Sequence, residues 1–206
     1  IYYGDKNVAE MTVAMLAGEV GYIFQNPDDQ IFKSNVLDEV MFGPLNIGMT
    51  KEEAKQKAQS ALALVGLENK AQENPYDLEL SERKMVAIAS VVAMDTQVVI
   101  FDEPTIAQDY PGKEKIRQLI GSLADQGKLV IAILHDMDFV AESFQRVIAM
   151  AHGKVIADGS PREVFSRPDV LEKARLELPY VSALCQSLGF SQIFLKVEDF
   201  IEFCKG

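Results

Sequence analysis

Three polar groups in this chain stand where they could act on a charged substrate. Gln25 follows the apolar run Gly21-Tyr22-Ile23-Phe24, Asp102-Glu103-Pro104 follows Val98-Val99-Ile100-Phe101, and His135-Asp136 follows Ile131-Ala132-Ile133-Leu134. An acid at the end of an apolar strand, with a second acid directly after it, suits a magnesium-bound nucleotide. Asp102 can hold the ion, usually through water, and Glu103 can polarise an attacking water. Taken singly, each residue also has a structural reading. The acids can serve as loop acids or helix caps, and His135, one of 2 histidines, as a hydrogen-bonded structural residue; Gln25 alone says little. If the three runs are parallel strands, all three groups stand at carboxyl ends, where open sheets bind their ligands, and they are expected to converge.

The elements that would position them can be read from periodicity. Ile1-Tyr2-Tyr3-Gly4-Asp5 reads as a strand entering a turn, Val8 to Leu16 as a short amphipathic stretch, and Glu19 to Phe24 as a buried strand. Thr50-Lys51-Glu52-Glu53 is a capping box that opens a helix with Ala54, Ala58, Ala61, Leu62 and Val65 on its apolar face and Gly66 at its end. A second, more apolar helix spans about Ser81 to Met94, so the chain between Gln25 and Met94 is mostly helical. From there strands alternate with helices: strand Val98 to Asp102, helix Pro111 to Gln126, strand Leu129 to Leu134, helix Met137 to Phe144. Both strands are unbroken aliphatic or aromatic runs, the pattern of strands buried on both faces of a parallel sheet. Arg146 to Met150 and Lys154 to Ala157 read as a hairpin at the sheet edge, and the tail from Pro161 is helical.

Composition narrows the function classes. The chain has 206 residues, 48% hydrophobic and 25% charged, enough for a soluble core without disulfides or metal. Cys185 and Cys204 have no ligand-like spacing and read as reduced thiols. With 20 Lys+Arg against 31 Asp+Glu the net charge is -11, and no segment concentrates positive charge, which argues against nucleic acid as a partner. No apolar run reaches the roughly 18 residues of a membrane span, and no signal peptide opens the chain. A cytoplasmic protein is expected, one that can dock on something in a membrane. The opening Ile1 in place of Met reads as a fragment or a processed chain.

In combination the motifs resemble a known family. Phe24-Gln25-Asn26-Pro27-Asp28-Asp29-Gln30, Glu82-Arg83-Lys84-Met85-Val86-Ala87-Ile88-Ala89, Val98 to Thr105, Gln108-Asp109 and Leu134-His135-Asp136 occur in the order and approximate spacing of an ABC-transporter ATPase, over roughly residues 1–165. The run from Gln25 to Gln30 and the tail Pro161-Arg162-Glu163-Val164-Phe165 look most like the energy-coupling-factor branch, which powers uptake of vitamins or of cobalt and nickel ions. The resemblance implies an α/β fold: a P-loop-NTPase-like parallel sheet core with an inserted helical subdomain and a small helical C-terminal tail. It implies core segments at 1–25 and 96–160, a helical subdomain at 26–95 and an extension at 161–206. ATP and Mg would be bound. Gln25 would be the Q-loop glutamine that senses metal and γ-phosphate, Asp102 the metal-holding acid, Glu103 the catalytic glutamate, His135 the switch histidine, and Asp109 the aspartate that crosses to a partner ATPase, identical or related. An integral membrane subunit would meet the helical subdomain, with Ile31, Phe32 and Phe42 either in its groove or in the core, and the protein would sit peripherally on the cytoplasmic face of the cell membrane.

Two departures qualify the resemblance. No G-x-x-x-x-G-K-[ST] occurs, and with it the donors that cradle phosphates are missing; an absent N-terminal segment would account for this. Where the family has Leu-Ser-Gly-Gly-Gln, this chain has Leu78-Glu79-Leu80-Ser81-Glu82. Either Glu79 replaces the serine and impairs one composite ATP site, or Ser81, as N-cap of the following helix, slides in to supply the hydroxyl. Two functions therefore stand: the ATP-hydrolysing subunit of a micronutrient importer, or a non-catalytic partner that keeps the fold and the dimer surface. Intact Gln25, Asp102, Glu103, Asp109 and His135 favour the first; the two departures favour the second.

Overall fold

The computed structural model describes residues 1–205, in two compact units that divide between Ile133 and Leu134. The first unit opens with a small hairpin, β1 (Tyr2–Tyr3) against β2 (Lys6–Asn7), then α1 (Val13–Ala17) and β3 (Val20–Ile23). Three helices follow, α2 (Val36–Asn46), α3 (Lys51–Val65) and α4 (Leu80–Val92), before β4 (Val98–Asp102), α5 (Tyr110–Asp125) and β5 (Leu129–Ile133). β3, β4 and β5 form a parallel sheet in that order, with Tyr22 beside Ile100 and Ile100 beside Ile131.

The helical stretch is built from the expected signals. Thr50 caps α3, its hydroxyl accepting from the Glu53 N–H while Glu53 accepts from the Thr50 N–H at 2.8 Å. Ala54, Ala58, Ala61, Leu62 and Val65 are buried against α2 and α4, full burial of a side chain such as Leu62 being worth about 1.5–3 kcal/mol. α4 lies on β3 because residue 21 is glycine: a Cβ there would stand 2.4 Å from Val91 Cγ1.

Among the described residues the two faces of the sheet are unequally covered, Val98 being buried and Ile100 partly buried on the barer one. Gly21, Ile23, Val99 and Phe101 are buried on the other, while Tyr22, Leu129, Ile131 and Ile133 on the barer face are exposed. Burial on both faces, expected from the aliphatic runs, is therefore not met in β5. An unbroken run reports the chemistry of both faces; what lies over them is decided by other segments.

The second unit contains α6 (Met137–Ser143), β6 (Val147–Ala151), β7 (Lys154–Gly159), α7 (Pro161–Phe165), α8 (Pro168–Ala174), α9 (Tyr180–Ser187) and α10 (Val197–Lys205). β6 and β7 are a hairpin but form a sheet of their own, not an edge of the parallel sheet. His152 and Gly153, at φ 49° and 73°, make the tight two-residue turn, and Ala149 and Ala157 are buried against Val164 and Val170 of the flanking helices. That packing, invisible in the strand sequences, gives the hairpin its partner. Phe190, Phe194, Phe200 and Phe203 stack edge-on around α10. Among the described residues no helix is long and apolar enough to cross a membrane.

Candidate functional site

The carboxyl ends of β3 and β4 carry most of the expected chemistry. β4 ends in Asp102; Glu103 follows with a left-handed backbone (φ 46°), 7% exposed, its N–H donating to the Ile133 carbonyl at 3.0 Å. A non-glycine residue held there costs of order 1 kcal/mol or more and marks a strand end whose direction is enforced by its surroundings. Asp102 is half-buried, and its Oδ2 accepts from the Tyr22 hydroxyl at 2.7 Å. That bond holds the Tyr22 phenol above its ordinary pKa. Gln25, two residues beyond the end of β3, is exposed.

What joins these ends is a residue that the motif reading passed over. The Lys84 ammonium, on α4 and 1% exposed, donates to the carbonyls of Phe24 (2.7 Å), Gln25 (2.8 Å) and Asp102 (3.2 Å). Burial pushes its pKa down to about 8, against the opposite pull of the Asp102 and Glu103 charges. An ammonium has three protons to give, and three carbonyls take them. Gln30 adds a second tie: its Oε1 accepts from the Phe24 N–H at 3.1 Å, and its Nε2 donates to Ala87 O at 2.8 Å and Ser90 Oγ at 3.0 Å. The signal for Lys84 was present as the last of three consecutive charges, Glu82-Arg83-Lys84, directly before the apolar run Met85 to Ala89, all of it buried.

At the amino end of α4 the N-cap is Glu79, with Ser81 second in the helix and Glu82 third; the Glu79 N–H donates to Glu82 Oε2 at 3.3 Å. Ser81 is therefore not the N-cap. A capping box needs an acceptor three residues on: from Glu79 that residue is Glu82, from Ser81 it is Lys84, which has none to offer. Lys70 bonds Glu82 at 2.6 Å and holds its carboxyl below the ordinary range. Ser81 is tied to the segment of Asp109 through its carbonyl, which accepts from Gln108 Nε2 at 3.1 Å, while Asp109 caps α5 by accepting from the Gly112 N–H at 2.8 Å. His135 belongs to the second unit, exposed, directly before Asp136, the N-cap of α6. The first unit thus brings Gln25, Asp102 and Glu103 to neighbouring strand ends, and links Ser81 to the turn that holds Asp109.

The donor set suits one kind of metal. Among the described residues no group of three or more His, Cys, Asp or Glu could cage an ion. Magnesium needs no cage, since it keeps water and takes one or two carboxylates plus substrate phosphates, and Asp102 with the amide of Gln25 beyond it fits that demand.

A further surface lies beside the loop of Gln25. Phe32 and Phe42 stack edge to face at 4.7 Å, are 55% and 37% exposed, and carry the Lys33 ammonium 5.0 and 4.7 Å from their ring centres. The buried Glu39 fixes this loop by accepting from the Phe32 and Lys33 N–H groups at 3.0 and 2.7 Å. Ile31 is 3% exposed and belongs to the core.

The sequence profile of the ABC transporter family matches residues 1–106. The chain is 40% identical over 189 residues to the energy-coupling factor transporter ATP-binding protein EcfA of Methanocaldococcus jannaschii, covering 92% of this chain and 66% of that one. It is 38% identical over 170 residues to EcfA of Methanosphaera stadtmanae, covering 82% and 61%. Among solved structures, cbiO1 from Clostridium perfringens, part of the ABC transporter complex cbiONQ, superposes with a TM-score of 0.68 at 34% identity, covering 84% of this chain and 69% of that one. The dimeric ATP-binding cassette MJ0796 bound to ADP and Pi superposes at 0.70 with 25% identity, covering 78% and 72%. The chain spans between 31% and 66% of the length of these and similar curated relatives.

Proposed function

The chain belongs to the ABC transporter family, and we propose that it is the ATP-binding and ATP-hydrolysing subunit of an energy-coupling-factor-like importer of a micronutrient, a metal ion or a vitamin. The juxtaposition of Asp102, Glu103 and Gln25 at adjacent strand ends carries this reading. Asp102 and Gln25 hold the magnesium, which when bound screens the charge of the phosphates. Glu103 accepts a proton from the attacking water, and its left-handed backbone sets its direction of approach. His135, in the second unit, is the counterpart of the family's switch histidine. Glu79 and Ser81 face the nucleotide of a second ATPase subunit, homologous or identical, to which Asp109 also reaches. The aromatic pair Phe32 and Phe42 receives a helix of an integral membrane subunit, which places the protein on the cytoplasmic face of the cell membrane.

The test is Glu103→Gln in the whole protein, with Mg-ATP binding followed by calorimetry and phosphate release by assay. Binding should persist while hydrolysis falls at least about 10²-fold. Unchanged turnover removes Glu103 from the role; no Mg-ATP binding in the parent protein removes the ATP reading.

Glu79 favours a second reading, a subunit with an impaired composite site. As the N-cap of α4 it stands where the family's serine would meet the partner's nucleotide. At about 5 Å and an effective dielectric of about 20 its repulsion is roughly 3 kcal/mol per unit of phosphate charge. Glu79→Ser with Ser81→Gly should then strengthen ATP-dependent dimerisation; no change would discard the impaired site.

A further inference from the structure

β3 and β4 pair through Ile23 and Phe101 and then part, β3 turning into the loop of Gln25 while β4 runs one residue further beside β5. The carbonyls of Phe24, Gln25 and Asp102 lie beyond that last pair, and Lys84 takes all three. We propose that Lys84 is a positioning residue: its ammonium clamps the split between β3 and β4, fixes the spacing between the loop of Gln25 and Asp102, and so pre-forms the metal and γ-phosphate end of the site.

The clamp is part of a longer seam along α4. Ser81 is held through its carbonyl by Gln108, Lys84 one turn later holds the strand ends, and Ala87 and Ser90 after that hold Gln30, which in turn fixes the Phe24 N–H. The helix whose first turn carries Glu79 and Ser81 is therefore bonded to both loops that follow β3 and β4. A shift of that first turn must either move Gln25 and Asp102 or break the clamp. Only a compact head with three diverging donors fits: methionine fills the volume but gives no proton, and arginine keeps donors in a flat fork.

What the site is for rests on the ATP reading above; the clamp itself does not. The test is amide hydrogen exchange, read by mass spectrometry on the nucleotide-free whole protein, for the parent, Lys84→Met and Lys84→Arg. In Lys84→Met, amides of residues 24–30 and 103–107 should exchange roughly tenfold faster or more, the factor for losing one hydrogen bond, while those of α3 and α5 hold. Lys84→Arg should restore part of the protection. Unchanged exchange in Lys84→Met would overturn the clamp. If Lys84→Met fails to fold, exchange in the parent under rising urea decides: residues 24–30, 103–107 and the first turn of α4 should open together, and openings at separate urea concentrations would overturn it. Mg-ATP titration of the same variants separates the two readings. A loosened loop with no ATP binding in any variant keeps the clamp and discards the ATP site; equal affinity and equal magnesium dependence in parent and Lys84→Met despite loosened loops discards the positioning role.

Discussion

The two ends of the parallel sheet each hold a buried lysine, and they use it differently. At the amino ends, Lys128 donates to the carbonyls of Asp95 and Thr96 at 3.1 and 2.8 Å and to the Asp95 carboxylate at 2.6 Å, which Lys57 also bonds at 2.6 Å. At the carboxyl ends Lys84 gives every proton to a backbone carbonyl and none to the neighbouring acids. At one end the cation is shared between two carbonyls and a carboxylate that a second lysine also pairs. At the other a cation is spent on the backbone, and the carboxylate of Asp102 is left with a single phenol bond, within reach of an incoming ion. Both lysines hold the fold, but only the carboxyl-end arrangement leaves an acid open to a ligand.

The contrast can be broken by mutation, most visibly at Lys84. Lys84→Met should lose about 3 kcal/mol or more in chemical denaturation, because three part-buried carbonyls at about 1–3 kcal/mol each are left without donors. Lys128→Met should lose less, about 1–3 kcal/mol, since its site borders solvent and Lys57 keeps the Asp95 pair. Equal losses would erase the distinction. Asp95→Asn comes next, at about 1 kcal/mol; its left-handed backbone (φ 57°) suits Asn as well as Asp, so the change isolates the charge.

The Asp95 contribution should also depend on pH. Partial burial opposes ionisation there, but the bonds from Lys128 and Lys57 outweigh it and hold the carboxyl below its ordinary value of 3.8. A group depressed in the folded state stabilises above its unfolded pKa and loses that contribution as pH falls through the folded value. The gap between parent and Asp95→Asn should thus be full at pH 6 and close as pH falls below about 4. Unfolding curves at pH 6 and 3 check this. The smallest effect belongs to the carboxyl end: Tyr22→Phe should shift stability by no more than about 0.5 kcal/mol, since the bond it removes is exposed. A loss above about 1 kcal/mol would mean that the Asp102 phenol bond serves the fold.

How much of this was legible follows the same division. Asp102 and Glu103 could be found because acids ending an apolar run are conspicuous, and Thr50 with Glu53 because a capping box is local. The N-cap at Glu79 was missed because glutamate is an uncommon cap and Ser81 a common one; the deciding fact was that Lys84, three residues after Ser81, is no acceptor. Lys84 itself was hidden by being long range, since its partners at 24, 25 and 102 come from strands that the helix sequence does not mention. The separate sheet of β6 and β7 was hidden likewise, because a hairpin pattern fixes its own pairing and says nothing of its neighbour.

The bare face of β5 has a consequence for handling the protein. β5 ends the sheet order, so among the described residues one of its edges has no strand beside it, and Leu129, Ile131 and Ile133 are exposed. The stretch Leu129-Val130-Ile131-Ala132-Ile133-Leu134 contains no charge, proline or glycine, the composition of segments that stack into cross-β assemblies. The charge that should guard its start, Lys128, is turned inward on Asp95 and Thr96. Concentrated solutions of the chain should therefore thicken into β-rich aggregates from this strand first, and a charged residue at Ile131 should keep them clear.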